Sequence, residues 1–230
     1  MFATSTWSRV ITIGNTPSKR TFHQSVMYAN AYFYVIGGFD GQKVNDLYRV
    51  KVCPVIAEPL NKANQEEVKV QEEPPKESAK RLTQEYFDTI PSYKWQKVQG
   101  TGKKYTPRTG HECLFYKEKI YLFGGMDDDD RRSDLFSFDI FTSQWEKMIA
   151  LGDVPSPRSG ARGVAFNDLL YFFGGYSKQS AEYYEDLFRY DLNRKRWEAL
   201  PDIGEKPSKR TDHSMVLYGN SLYVFGGYDG

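Results

Sequence analysis

Four stretches of the sequence decide the fold, because each is an apolar run that ends in two glycines. They are Tyr34-Val35-Ile36-Gly37-Gly38, Tyr121-Leu122-Phe123-Gly124-Gly125, Tyr171-Phe172-Phe173-Gly174-Gly175 and Tyr223-Val224-Phe225-Gly226-Gly227. The first glycines of these runs are 87, 50 and 52 residues apart, and the four tryptophans of the chain follow a nearly identical spacing of 88, 50 and 52. Two independent markers with one period indicate an internal repeat.

Other residues fall into the same register on both sides of the glycines. A turn with Pro and Arg precedes each run, and its arginines are Arg20, Arg108, Arg158 and Arg210. The sequence Asp-Leu-aromatic follows the first three runs, and its aspartates are Asp46, Asp134 and Asp186. Each unit therefore predicts four short strands, which we name A (after the Arg turn), B (into Gly-Gly), C (from Asp-Leu) and D (around Trp).

The B run predicts a strand that is buried on both sides, because nearly all of its residues are apolar. The two glycines suit a sharp turn, since glycine adopts a positive φ without steric cost. One four-stranded unit cannot bury both of its faces alone. Several units around an axis cover one another and leave only short sheet edges.

The pattern resembles the kelch repeat. The matching features are the aromatic-apolar-apolar-Gly-Gly run, the Asp-Leu-aromatic that follows, and the Trp about 20 residues past the glycines. The Pro-Arg-x-x-His form of the turn is similar to the kelch units of cytosolic scaffold proteins and of leucine-zipper-like kelch-BTB adaptors. The resemblance implies a β-propeller with one blade per repeat. We expect an all-β fold with three full four-stranded blades plus flanking strands, in an incomplete ring or fragment.

One propeller domain is predicted over residues 1–230. Its parts are an N-terminal D strand at 6–13, blade one at 21–99, blade two at 109–149, blade three at 159–200 and a partial blade at 211–230. Blade one carries an insertion at 53–92 that is rich in Glu, Lys, Gln and Pro and contains no Gly. Such a composition buries too little surface to offset the entropy of ordering. We predict a disordered spacer with a transient helix near 80–87, and a partner-binding segment is the alternative.

Composition excludes several classes of function. The 31 Lys and Arg are balanced by 30 Asp and Glu, which argues against nucleic-acid binding, since that affinity comes from an excess of basic residues. No apolar stretch is long enough to cross a membrane. The two cysteines fit a reducing compartment. We expect a cytoplasmic location, with the nucleus as alternative, and no cofactor or metal.

Successive strands of a blade are antiparallel, so the D–A and B–C connections share one face of the disc, which we name the loop face. Loops on a rigid scaffold are where recognition residues collect, and Arg beside aromatic residues is typical of interface hot spots. The predicted partner-binding residues are Arg20, Phe39, Asp40, Arg108, Met126, Asp127, Arg158, Arg162, Tyr176, Arg210 and Tyr228. The alternative for the repeated arginines is a structural pair with the repeated aspartates. Arg162 lies outside the register and is the stronger functional candidate.

The predicted function is a non-enzymatic scaffold or substrate-recognition module. Its partner is another protein or a short acidic or polar peptide, and the resemblance implies a ubiquitin-ligase or trafficking complex. The alternative is a galactose-oxidase-like or other propeller enzyme, which needs a cluster of perturbed acids or histidines at the central channel. His23, His111 and His213 start equivalent A strands, but the third repeat has Ala161 there. We therefore interpret the histidines as scaffold residues.

Overall fold

The structure is a computed structural model that describes residues 10–29, 31–52, 82–83, 85–86, 90 and 92–230. Apart from the helical residues Glu85 and Tyr86, its regular elements are strands, which confirms the all-β prediction. The strands are β1 (Ile13–Gly14), β2 (Gln24–Tyr28), β3 (Tyr32–Phe39), β4 (Lys43–Lys51), β5 (Lys94–Lys97), β6 (Thr101–Gly102), β7 (Glu112–Tyr116), β8 (Lys119–Phe123), β9 (Leu135–Asp139), β10 (Gln144–Lys147), β11 (Leu151–Gly152), β12 (Arg162–Phe166), β13 (Leu169–Phe173), β14 (Tyr176–Ser177), β15 (Glu182–Tyr183), β16 (Leu187–Asp191), β17 (Arg196–Ala199), β18 (Ser214–Tyr218) and β19 (Ser221–Phe225).

Three five-stranded sheets follow one another along the chain, with the orders β1-β5-β4-β3-β2, β6-β10-β9-β8-β7 and β11-β17-β16-β13-β12. In each sheet the four main strands are the expected antiparallel A, B, C and D strands. Strands β18 and β19 pair as the A and B strands of a further unit. The prediction of three full blades with flanking strands is confirmed.

The blades are arranged around a common centre. The strands that approach one another between sheets are the A strands β2, β7, β12 and β18, in that order. Within the described part of the chain, no strand pairing closes these blades into a ring. The fold is therefore an arc of a β-propeller.

The hydrophobic cores lie between the blades, and strand β8 contributes side chains to two of these cores. Ile120 and Leu122 lie in the core between blades one and two, whereas Tyr121 and Phe123 lie in the core between blades two and three. Successive side chains of a strand point to opposite faces. A B strand therefore has to be apolar at nearly every position, as its sequence predicts.

The tryptophans of blades two and three pack each of these blades against its predecessor. The Trp197 ring of blade three lies 5.2 Å from the Phe123 ring of blade two and 5.6 Å from the Phe172 ring of its own blade. Trp145 is also fully buried, with its ring 4.9 Å from Phe138. Because each of these tryptophans lies on a D strand, one bulky side chain fills the part of the interface between two blades that is far from the centre.

A short fifth strand on each sheet was not expected from the sequence. Strand β6 follows the last strand of blade one, yet it pairs in parallel with β10 of blade two. Strands β1 and β11 pair with β5 and β17 in the same way, so each linker fastens one blade to the next. Of the predicted D strand at 6–13, residues 6–9 lie outside the described residues, and Ile13 belongs to β1.

The C-terminal end of the blade-one insertion is docked on the propeller. Ile90 is buried in the core between blades one and two, and Leu82 and Tyr86 pack against that core. The Leu82 amide donates to the Phe141 carbonyl at 2.6 Å, and Arg49 donates to the Tyr86 hydroxyl at 3.0 Å. These residues differ from the predicted disordered segment, because their apolar side chains find a core to enter. Residues 53–81 lie outside the described residues.

Candidate functional site

The loop face is built by backbone pairing between two loops of the same unit. In every unit, one residue of the D–A turn exchanges two hydrogen bonds with the residue after Gly-Gly, at N–O distances of 2.8 to 3.1 Å. The four pairs are Thr21 with Phe39, Thr109 with Met126, Ser159 with Tyr176, and Thr211 with Tyr228. The sequence-based expectation that the D–A and B–C loops share one face therefore agrees with the structure.

The glycine pair is required where these two loops cross. Gly125 has a φ of +91°, and a Cβ at this position would stand only 2.9 Å from the Thr109 carbonyl oxygen. Gly38 and Gly227 are similarly close to Thr21 and Thr211. A side chain would therefore push the B–C loop away from the turn that holds it.

The repeated arginine clamps its own blade. Arg108, which is only 1% exposed, donates through Nη1 to the Gly124 carbonyl at 3.0 Å and to Asp134 at 2.5 Å. Arg158 binds Gly174 and Asp186 in the same way. The matching contacts of the other two turns are Arg20 to Gly37 and Asp46, and Arg210 to Gly226. The structural alternative for the arginines, a pair with the repeated aspartate, is therefore present in blades one to three.

The backbone of the same arginine reaches the preceding blade. The Arg158 carbonyl accepts from the Gly125 amide at 2.9 Å, and the Arg158 amide donates to the Arg132 carbonyl at 3.0 Å. One residue thus joins two blades, with its backbone on one and its guanidinium in the other. The prediction that these arginines bind a partner stays a prediction, and their guanidinium groups already have internal acceptors.

Arg162 links three units near the centre of the arc. Its Nη2 donates to Asp212 at 3.2 Å, and its Nη1 lies 3.6 Å from Glu112 of blade two. Glu112 is buried and also accepts from the Gly163 amide at 3.3 Å. Burial raises the pKa of Glu112 to about 7, although the positive charge of Arg162 opposes the shift. The raised pKa distinguishes Glu112 from Asp127, whose pKa is lowered.

The histidines contact the preceding blade. His111 Nε2 lies 3.2 Å from the Ile36 carbonyl of blade one, and the His213 ring meets Phe173 of blade three edge-on at 5.5 Å. Burial lowers the pKa of His111 to about 3 and that of His213 to about 4. These contacts support the scaffold interpretation. In the described ranges, no group of three or more His, Cys, Asp or Glu side chains is placed to hold a metal ion.

An aromatic row crosses the loop face from blade three to the partial blade, and an arginine of blade two lies at its end. The ring of Tyr183, on the hairpin β14–β15, lies 4.8 Å from Tyr176 and 5.7 Å from Tyr228. The Arg131 guanidinium lies 4.6 Å above the Tyr176 ring, and its Nε donates to Ser159 at 3.0 Å. Sequence reasoning missed Tyr183 and Arg131. The unusually long B–C loop of the third repeat was the sequence feature that could have indicated Tyr183. Arg131 lies in a run of charged residues, and nothing in that run distinguishes it.

The two predicted aspartates of this face differ. Asp127 is buried and accepts from Arg132 at 2.5 Å and Thr106 at 2.7 Å, and these bonds lower its pKa although burial opposes the shift. It holds the B–C loop of blade two in shape. Asp40 is exposed and accepts from Ser18 at 2.5 Å.

The sequence matches a family model described as the KLHDC2/KLHL20/DRC7 Kelch-repeats domain over residues 1–227. The chain belongs to the kelch-repeat family. This confirms the resemblance that the sequence motifs indicated. The structure also explains why these motif positions recur together. The arginine of the turn contacts both the first glycine of Gly-Gly and the aspartate of Asp-Leu.

Three kelch relatives illustrate the range of the similarity. Tip elongation aberrant protein 1 of Schizosaccharomyces pombe is 33% identical over 99% of this chain and 22% of its own length. Leucine-zipper-like transcriptional regulator 1 of Mus musculus is 39% identical over 54% of the chain and 15% of its own length. N-(sulfonatooxy)prop-2-enimidothioate sulfolyase of Thlaspi arvense is 40% identical over 58% of the chain and 39% of its own length. The chain thus spans less than half the length of each of these relatives.

The described residues include no helix long and apolar enough to cross a membrane.

Proposed function

We propose that this kelch chain is a non-enzymatic protein-interaction module that holds its partner on the loop face. The observation that carries the proposal is a backbone chain that joins the inner turns of three units. The Gly160 amide donates to the Gly110 carbonyl at 2.8 Å, and the Asp212 amide donates to the Gly160 carbonyl at 2.9 Å. The loops therefore form one continuous rigid platform, which is the arrangement in which loops bind partners at low entropic cost.

We assign two roles to the predicted site residues. The exposed or half-exposed side chains contact the partner, and these are Phe39, Asp40, Met126, Arg162, Tyr176 and Tyr228. The clamped side chains keep the platform in place, and these are Arg20, Arg108, Asp127, Arg158 and Arg210. The clamped side chains affect binding indirectly, because they hold the contacting side chains in position.

Coarse support for the function comes from the family, whose members are typically protein-interaction modules. The acidic or polar peptide, the ubiquitin-ligase or trafficking complex, and the cytoplasmic or nuclear location remain predictions of this proposal. A relative named as a transcriptional regulator and one named for tip elongation are compatible with an adaptor that serves different assemblies.

A blocking experiment tests which face binds. Peptides of about 12 residues are selected from a random display library on the purified chain, because short extended segments are the common ligands of loop platforms. In a background with Cys53 replaced by serine, Ser180→Cys places a bulky maleimide at the exposed tip of the β14–β15 hairpin on the loop face. Asn193→Cys places the same group on the exposed C–D turn of the opposite face.

Loss of peptide binding only after labelling at position 180 is the expected result. Cys113 is buried and does not compete for the label. Peptides that bind equally well to both labelled proteins, or that are blocked only from position 193, would overturn the proposal.

A second candidate function is an enzyme at the centre of the arc. Two observations favour it, the sulfolyase name of one relative and the raised pKa of Glu112 beside Arg162. The test is an assay with the compound in that relative's name, in the wild-type chain and in Glu112→Gln. Turnover by the wild-type chain that Glu112→Gln abolishes would establish the enzyme. It would also contradict the proposal that the chain is non-enzymatic.

A further inference from the structure

The residue after each Gly-Gly pair is large and apolar in all four units. These residues are Phe39, Met126, Tyr176 and Tyr228. Each is held by the double backbone hydrogen bond to its D–A turn, so the four side chains start from equivalent, fixed points on the loop face. Phe22, at the turn of blade one, adds another exposed ring. We name this set with Tyr183 the apolar arc.

The three tyrosine rings of the arc contact one another without a partner. Tyr183 contacts Tyr176 and Tyr228, and the Arg131 guanidinium lies over the Tyr176 ring. A ring that already has one rotamer loses little entropy on binding. Phe22, Phe39 and Tyr228 keep between two-fifths and two-thirds of their surface exposed, and clustered exposed apolar groups mark interaction sites.

In blades one to three the arginines of the D–A turns pair with carboxylates of the chain, whereas Arg210 of the partial blade donates to the Ser208 and Gly226 carbonyls. Arg20, Arg108 and Arg158 pair with the repeated aspartates, and Arg162 pairs with Glu112 and Asp212. Arg132 pairs with Asp127 and Asp129, and Lys43 with Asp128. A charged partner would have to compete with these carboxylates, whereas an apolar side chain would not.

From this contrast we propose that the apolar arc, not the arginines, supplies the binding energy of the loop face. The occupant is an extended segment of another protein whose contacting side chains are aromatic, aliphatic or proline, without charge. The inference rests on the proposed function and narrows it. It replaces the expectation of an acidic peptide with a chemical class that the paired charges and ordered rings fit.

The test uses the library-selected peptides and the intact chain. Peptide affinity is expected to change less than about twofold between about 50 mM and 500 mM NaCl, because apolar contact is not screened by salt. Tyr183→Ala and Tyr228→Ala should each weaken binding about tenfold, as truncation of an aromatic anchor does. The matched control is Tyr218→Ala, since Tyr218 is also exposed but lies at the end of β18 that is far from the D–A turn.

The outcomes separate this inference from the proposed function. Selected peptides rich in Asp and Glu, with affinity that falls about tenfold in high salt, would overturn the inference while leaving the loop face as the binding site. Equal effects of Tyr218→Ala and Tyr228→Ala would also overturn it. Peptides blocked only from position 193 would remove the proposed function itself.

Discussion

Strand pair β7–β8 and strand pair β18–β19 carry the same side-chain pattern but have different surroundings. Leu114, Tyr121 and Phe123 of blade two are buried against blade three. Their equivalents Val216, Tyr223 and Phe225 are exposed, and the most extreme contrast is Phe123 at 1% against Phe225 at 81%. The repeat therefore specifies which side chain stands at a position, whereas the neighbouring blade decides whether it is buried. Stability in such a protein is approximately a sum of repeat and interface terms.

The largest difference is expected for the phenylalanine pair. Phe123→Ala removes a ring that lies 4.6 Å from Phe172 and 5.2 Å from Trp197, and should lower the free energy of unfolding by about 4 kcal/mol because it leaves a cavity. Phe225→Ala should change it by less than about 0.5 kcal/mol, as at other exposed sites. Urea denaturation of both variants measures the difference. A large loss for Phe225→Ala would mean that the β18–β19 face is covered in solution.

The clamp arginines give a second, smaller contrast. Arg158→Ala leaves Asp186 without its partner and the Gly174 carbonyl without its donor, which should cost about 2 to 3 kcal/mol, because a group left unpaired in a partly buried site loses its solvation. Arg210 has the equivalent bond to Gly226 but lies in an exposed surrounding, and Arg210→Ala should cost about 1 kcal/mol. Thermal unfolding of both variants tests this order.

Arg158→Lys is the matched control for charge. Lysine keeps the positive charge but cannot bind a carbonyl and a carboxylate in one planar fork. If Arg158→Lys is as stable as the wild type, the charge alone holds the blade and the fork geometry is unimportant.

The repeat made most of the fold predictable. Strands A to D, the blade count and the double-sided burial of B all follow from side-chain period and glycine placement, which are local properties. The short strands β1, β6 and β11 escaped prediction because they are two residues long and pair with a strand of the next unit. The docked residues Leu82 and Ile90 escaped because an acidic, proline-rich composition says nothing about where single apolar side chains find a core.

The candidate site was less predictable than the fold, because a sequence does not show which charged side chains form ion pairs. A sequence shows that Arg158 and Arg162 are four residues apart, but not that each is already paired with a carboxylate from another strand or another unit. The sequence therefore predicts recognition for arginines whose guanidinium groups have carboxylate partners within the fold, and partner binding by these arginines stays a prediction. The register fixes the positions after Gly-Gly in the sequence, and their role in binding stays a prediction. The stacking partner Tyr183 lies on a hairpin that, among the described residues, is found in the third repeat alone.

A pH dependence distinguishes the centre of the arc, where Glu112 lies, from the contacts of the histidines with the preceding blade. Glu112 has a pKa of about 7, above its ordinary value of 4.5, because of burial, so its ionised form is better tolerated in the unfolded chain. The stability that its neutral form contributes is present below about pH 4.5 and is lost as pH rises to about 7. His111 and His213 have lowered pKa values of about 3 and 4, and their contribution is present above about pH 6.5 and is lost as pH falls. The two effects have opposite signs.

Glu112→Gln isolates the glutamate from the histidines. Glutamine keeps an acceptor for the Gly163 amide but carries no charge, so the variant should gain stability relative to wild type by on the order of 2 kcal/mol between pH 5 and pH 8. Urea denaturation at several pH values measures this difference. A variant that loses stability relative to wild type between pH 5 and pH 7 would mean that Glu112 is already ionised there in the folded protein. In that case its 3.6 Å contact with Arg162 outweighs burial, and the centre of the arc is held by the same kind of ion pair as the clamps.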